Sequence, residues 1–364
     1  MSNPVKEVTR FENHNNAFGF IRLVLASLVI VAHTPELIDG DRSRELLTRI
    51  FGTLSFGTVA VDGFFVVSGY LIAGSYISNN GIINYLVRRI ARIYPAFLMC
   101  CVFCLAIIAP LGGASIADIF SSLIINVKEA MMLRPPSVPN VFVGTAHPVL
   151  NGAMWTISYE FRCYILVIIL GITKIINRPI FILISAILCM IAYKNQYMNE
   201  HALNFRFAGI FLIGVLFYTK RDIIVFKKSY LIISGFGLTL FMFSQYMAEP
   251  AFAIFGSYII FSIASFGGSR AISQINNRDD ISYGLYLYAW PVEKTILWYY
   301  PLINPLIAGT ATFIVACAFG WISWHALEKR VMRLSMKWDA PKKLERKVSE
   351  VIRAVSIRVD PTRG

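Results

Sequence analysis

The chain reads as an all-α polytopic integral membrane protein, with about ten transmembrane helices and an amphipathic cytoplasmic helix. Three observations lead there. Of its 364 residues, 56% are apolar and only 15% are charged, with 27 Phe and 17 Tyr. Long apolar stretches recur along most of its length, each close to what a hydrocarbon core of about 30 Å requires. The basic residues gather between alternate stretches rather than on one face of a soluble domain, so the net charge of +13 points to membrane topology and not to nucleic acid.

Ten crossings follow from hydropathy, at 18–34, 52–74, 94–111, 150–170, 177–193, 205–219, 230–246, 250–266, 282–301 and 306–327. The first begins after a polar stretch and is followed by no small-residue cleavage site, which makes it an integral helix and not a signal peptide. Residues 112–149, with RPPSVP near the centre, read as an ordered surface loop. The six cysteines lack metal-ligand spacing and an extracellular disulfide pattern, so they read as small buried hydrophobes, and no metal is expected.

Positive charge sets the orientation. Residues 75–93 carry Arg88, Arg89 and Arg92 without an acid; the later alternate connections carry Lys174 with Arg178, then Lys220, Arg221, Lys227 and Lys228. The intervening connections are acidic or neutral. Both termini therefore belong in the cytoplasm, and an even number of crossings agrees. The chain divides into a cytoplasmic segment 1–17, a transmembrane domain 18–327, and a basic cytoplasmic tail 328–364 that anchors topology at the leaflet.

Ionisable groups inside apolar segments carry the chemistry, because lipid solvates charge badly. Arg22 and His33 share the first segment, FGFIRLVLASLVIVAH, and stand eleven residues or about 16 Å apart along a helix. That places Arg22 near the cytoplasmic interface and His33 near the outer one. Asp62 lies near mid-membrane in the second segment. Trp155, Glu160 and Arg162 enter the fourth, where Asp62 could pair with Arg162 and Glu160 could face His33. A carboxylate on the imidazole would fix its tautomer and suit His33 to general-base work; the competing reading is a buried ionic network that holds the bundle together. In GIINYLVRRIARIYP isoleucines and Leu86 fall on one side and Arg88, Arg89 and Arg92 on the other, an amphipathic helix suited to anionic lipid or to a phosphate clamp. Tyr286 and Trp290 line a path or pack the bundle. Glu293 follows a proline kink, and His147 sits in an outer loop with little to recommend it as a catalyst.

These residues resemble the membrane-bound acyltransferase type 3 family. RLVLASLVIVAH looks like its arginine–ten residues–histidine segment, VDGFFVVSGYLI like its second signature, RRIARIYP like its basic juxtamembrane motif, and WTISYEFRCY like its tryptophan-to-glutamate motif; SYGLYLYAWP is similar to a late recurring stretch. The resemblance implies transfer of an acyl group, usually acetyl, from acyl-CoA on the cytoplasmic side to a hydroxyl of a cell-surface or lipid-linked glycan in the bacterial inner membrane. It implies His33 as the catalytic histidine, as general base or transient acyl carrier, with Glu160 orienting it. Arg22, Arg88, Arg89 and Arg92 would hold acetyl-CoA or another acyl-CoA, and Asp62, Trp155, Arg162, Tyr286 and Glu293 would support the site. Many relatives have histidine where this chain has Ala289, and the soluble hydrolase-like domain of some relatives is not expected here. Polysaccharide-assembly proteins are candidate partners, nucleic acid is not. A secondary transporter or flippase of an envelope glycan is the competing function, and a pure scaffold a weaker one.

Overall fold

The computed structural model describes residues 8–9, 16–78, 81–195, 201–268 and 271–341. Most of them are helical, with one short antiparallel pairing of Val8–Thr9 with Phe226–Lys227. Seven helical runs among them are long and apolar enough to cross a membrane: Phe18–Asp39, Phe56–Ile77, Ile82–Leu111, Met154–Ile172, Ala202–Thr219, Ala248–Phe266 and Pro305–Lys337. The chain is a polytopic helical membrane protein.

Seven corrects the expected ten. The segment at 177–193 forms Pro179–Asn195, of 17 residues, and that at 230–246 forms Lys228–Phe241, of 14. At 1.5 Å per residue these reach about 25 and 21 Å, short of a full hydrocarbon core. The segment at 282–301 forms Ser282–Tyr299, in which tyrosines, Glu293 and Lys294 dilute the apolar content. Orientation therefore rests on charge alone, without the support of an even count.

Two local expectations change as well. The arginine-rich stretch is not a separate surface helix: Ile82–Phe103 is continuous through Pro95, and a π-helical turn at Cys104–Ile108 carries it on to Leu111. Within the arginine-rich stretch 82–95, Ile90 is exposed, whereas Arg88, Arg89 and Arg92 are half-buried. Residues 112–149 are not all loop, because Ile116–Met131 is a helix opened by a capping box between Ser115 and Asp118. The Ser115 hydroxyl and amide hold the Asp118 carboxyl below its usual range. The outward stripe of that helix, Ile116, Phe120, Ile124, Val127 and Met131, is apolar and exposed.

The described structure consists of two compact units, each assembled from separated stretches of chain. The first comprises Met1–Phe64, Tyr94–Ser158 and Ile223–Glu328. Its centre is the helix Phe18–Asp39, packed on both Ser282–Tyr299 and Pro305–Ser323. The last two touch at Gly284 and Gly320, where a Cβ on Gly284 would lie 2.5 Å from the Gly320 Cα. Gly57 and Gly63 press on Ala32 and Leu25 of the first helix. The second unit comprises Phe65–Ile93, Tyr159–Asp222 and Lys329–Gly364. There Pro179–Asn195 packs along Ala202–Thr219, and Gly69 meets Gly214 backbone to backbone. Gly57, Gly63 and Gly69 thus serve different neighbours, as their six-residue spacing implies. The described part of the basic tail is a helix, Lys329–Lys337, followed by Asp339 and Ala340, which bond both ends of the Asn84 amide at 2.6 and 2.8 Å. Residues 342–364, the remainder of the expected tail, and most of the expected segment 1–17 lie outside the described residues.

Candidate active site

His33 finds its carboxylate on its own helix. The first helix does not stop at residue 34 but continues through Pro35 to Asp39, where Gly40 closes it in the left-handed conformation at φ 83° with its N–H on the Glu36 carbonyl. Residues three apart on a helix share a face, so Glu36 is one turn from His33, and Nδ1 of the imidazole lies 2.8 Å from Glu36 Oε2. The Glu36 side chain is 3% exposed and that of His33 17%. A carboxylate on Nδ1 keeps the proton there and leaves the Nε2 lone pair as the basic site. The second oxygen of Glu36 accepts from Arg42 at 2.5 Å and lies 3.6 Å from His147 Nε2. Arg42 is held by a short 3-10 turn whose N-cap, Asp41, accepts from the Ser43 amide at 2.8 Å. The hydroxyl and amide of Ser43 hold the Asp41 carboxyl below its usual range.

Trp290 forms the wall. Its indole meets the His33 ring edge-on, with centroids 4.7 Å apart, and the His147 ring at 6.0 Å. A proline accounts for how the loop bearing His147 reaches this place. Pro291 has no N–H to offer the carbonyl one turn earlier, that of Leu287. Asn151 Nδ2 donates to that carbonyl at 2.8 Å, aided by the Cys100 thiol at 3.4 Å. The loop is thereby clamped against the helix, with Gly152 so close to the Trp290 indole that a Cβ would strike it. Asn151→Leu would leave the buried carbonyl with the weak thiol alone. A loss of about 1–3 kcal/mol is expected, measurable as a lowered thermal midpoint in detergent.

Beside His33, the Thr34 hydroxyl stands between the Ile30 carbonyl, at 3.0 Å, and Glu293 Oε1. Glu293 Oε2, Trp290 Nε1 and Thr312 Oγ1 are buried without a hydrogen-bond partner among the described residues. Lys294, 1% exposed, directs its ammonium toward the Phe142 ring, 5.8 Å from the centroid.

The other end of the first helix carries Arg22, eleven residues or about three turns from His33, so both leave the helix on nearly the same side. Arg22 pairs with Asp280 at 3.2 Å. Asp280 also accepts from the Ser282 hydroxyl at 2.5 Å and from Asn276 at 2.9 Å, and the Asn276 amide reaches the Gly19 carbonyl at 3.0 Å. Tyr286 lies between, bonded to the Thr156 hydroxyl at 2.7 Å and donating to the Ala153 carbonyl at 2.5 Å. Asp62 is fully buried in this unit, and Trp155 is 39% exposed. His325 lies 3.4 Å from Asp279, and Glu328 accepts from Ser323 at 2.8 Å.

The remaining candidates belong to the second unit. Glu160 accepts from Ser68 at 3.2 Å and from the Tyr164 hydroxyl at 2.5 Å. The Arg89 guanidinium lies 5.9 Å from the ring centroids of both Tyr85 and Tyr164, and the Tyr85 hydroxyl donates to the Tyr164 carbonyl at 3.0 Å. Arg88 Nε and Arg89 Nε are buried with no hydrogen-bond partner among the described residues. Arg92 faces the Met332 sulfur at 3.7 Å. Arg162 donates to Asn204 at 2.5 Å and covers the Tyr159 ring at 4.8 Å.

Sequence reasoning thus brought His33 forward but supplied Glu160 as its carboxylate, whereas the partner on Nδ1 is Glu36. From sequence alone Glu36, lying beyond Pro35, belongs to an outer connection, and neither His147 nor Asn151 carries a local signature of this site. The signal for Glu36 was present as the His-x-x-Glu spacing in HTPE.

The site is thus a half-buried histidine paired with a buried carboxylate inside a bundle of apolar membrane helices. The chain matches the acyltransferase domain family over residues 15–325 and belongs to it; it is a membrane-bound acyltransferase. It is 26% identical over 340 residues to an O-acetyl transferase of Shigella phage Sf6, covering 88% of this chain and 97% of that protein. It is 25% identical over 364 residues to Nodulation protein 10 of Rhizobium leguminosarum bv. viciae, covering 88% of this chain and 94% of that one. No solved structure matches.

Proposed function

We propose that the protein is an O-acyltransferase of the bacterial inner membrane. It moves an acyl group, acetyl in the first instance, from acyl-CoA on the cytoplasmic side to a hydroxyl of a cell-surface or lipid-linked glycan. The observation that carries this reading is the His33–Glu36 pair, which leaves Nε2 of a membrane-helix imidazole free to take a proton. The name of the phage relative supports acetyl as the group moved. In the reaction, His33 Nε2 removes the hydroxyl proton as the oxygen attacks the thioester carbonyl. The new C–O bond forms, the C–S bond breaks, and the coenzyme leaves as its thiolate, which recovers the proton from His33. Glu36 stabilises the imidazolium between those events. Direct transfer is preferred over an acyl-histidine relay because no second nucleophile is needed.

Arg22, Arg88, Arg89 and Arg92 are proposed to bind the donor. The Nε atoms of Arg88 and Arg89, buried without a hydrogen-bond partner among the described residues, support an anion site, since guanidinium forks match phosphate oxygens. Glu160 is proposed to organise that region through Tyr164, while Asp62, Trp155, Arg162, Tyr286 and Glu293 support the bundle around the reaction. Both termini face the cytoplasm in this proposal.

Purified protein with labelled acetyl-CoA and envelope glycans tests it, by release of the label from the glycan in mild alkali. Loss of one charge-assisted contact costs about 1.5–3 kcal/mol. Arg88→Ala is therefore expected to raise KM for acyl-CoA about 10- to 100-fold with little change in kcat. An unchanged KM would return Arg88 to a purely topological role.

A further inference from the structure

Glu36 serves more groups than a simple base–carboxylate pair requires. Its Oε2 is held by His33 at 2.8 Å, while its Oε1 is approached by Arg42 at 2.5 Å and by His147 Nε2 at 3.6 Å. The two imidazoles come from different places, one from the first helix and one from the loop clamped by Asn151, and the same indole packs against both. His147 Nε2 is buried and makes no hydrogen bond among the described residues. It faces the carboxylate a few tenths of an ångström beyond bonding distance, so a proton on that nitrogen would close the gap. Arg42, with its side chain 68% exposed, is screened by solvent; the two histidines are the groups whose charge can change.

We infer that Glu36 is shared by two imidazoles, and that His147 is a positioning residue which sets, through this carboxylate, whether His33 holds a proton. The inference rests on His33 as the base of the proposed reaction for its functional meaning, but not for its physical content. Two cations competing for one carboxylate repel each other and divide its field. A proton on His147 therefore opposes a proton on His33, and linkage requires the opposition to be mutual and of equal size. On the turn that bears Arg42, Asp41 accepts from the Ser43 amide and Glu45 from the Leu47 and Thr48 amides. On the first helix, Asp39 is already paired with Arg44. On Ser282–Tyr299, Glu293 is bonded to Thr34, and Lys294 is directed at Phe142. Such a coupling would spread the loss of activity on acidification over a wider pH range than a single histidine gives.

Imidazole-labelled protein in detergent, followed by NMR across pH 4–9, tests this directly, with the five histidines assigned by substitution. His147→Gln is expected to raise the titration midpoint of His33 by at least about half a pH unit. His33→Gln should raise that of His147 by the same amount, and Glu36→Gln should lower both. His325, which faces Asp279, is the internal control for folding and should not move. Should His147→Gln fail that control, His147→Asn provides the same loss of charge in a smaller side chain. Midpoints of His33 and His147 that stay put in a variant with a native His325 signal overturn the inference. Acetyl transfer assayed on the same samples separates the two ideas. Full activity of His33→Ala with coupled midpoints removes the catalytic role and keeps the shared carboxylate; lost activity with independent midpoints does the reverse.

Discussion

Replacing His33 by alanine is expected to lower acyl transfer by about 10²–10⁴-fold, the range that a positioned general base contributes. The substitution removes a ring that is 17% exposed as a side chain and packed edge-on against Trp290, so a modest stability loss will accompany it. Rate must therefore be measured per folded protein, using label transferred from acetyl-CoA and a monodisperse elution profile. Glu36→Gln should also reduce the rate, because the neutral amide keeps a hydrogen-bonding oxygen near Nδ1 yet no longer stabilises the imidazolium. Undiminished transfer by folded His33→Ala would exclude the histidine from the chemistry.

The largest structural effect is expected at Gly69 and Gly214. A Cβ on Gly69 would fall onto the Phe211 carbonyl oxygen, and one on Gly214 onto that of Val66, with the two glycine Cα atoms themselves in the contact. The obstructing atoms are backbone, so no rotamer change can relieve the overlap and the helices must separate. Forcing atoms into a packed contact costs about 1–3 kcal/mol and sometimes more; Gly69→Ala and Gly214→Ala should each lower the thermal midpoint sharply. Either change opens the same contact, so the double variant should lose less than the sum of the two. Gly235, on the exposed helix Lys228–Phe241, has nothing within 4 Å of an added Cβ. Gly235→Ala should be neutral or stabilise by up to about 1 kcal/mol. Equal effects at all three positions would show that close helix approach is not what these glycines provide.

How far the sequence could be read is clear from particular residues. Apolar length and charge placement brought out the membrane class and most of the long helices, because lipid imposes its requirement on every residue of a crossing. The same measure could not separate a crossing from the 14-residue helix Lys228–Phe241, since a short helix can be as apolar as a spanning one. Arg22 and His33 stood out by their cost in lipid. Glu36 did not, because a proline at position 35 argues for a helix end, and an acid beyond the end is counted as a connection. Glu160 was matched to His33 by depth alone, and depth leaves the rotation of each helix undetermined. The approach of His147 depends on the Leu287 carbonyl that Pro291 leaves free, a contact 136 residues from Asn151 in sequence and without a local signature.

The first helix has one more consequence. It carries Arg22 and His33 without interruption, so it acts as a gauge whose length is set by backbone rise alone. One residue added between them would lengthen the gauge by only about 1.5 Å but swing His33 by about 100° away from Trp290. Only steps near a whole turn keep the histidine in phase, and each of these changes the span by about 5 Å. If the donor is held at Arg22 as proposed, its thioester must reach His33 over this one fixed span, and a change of a single residue would break the match at both ends.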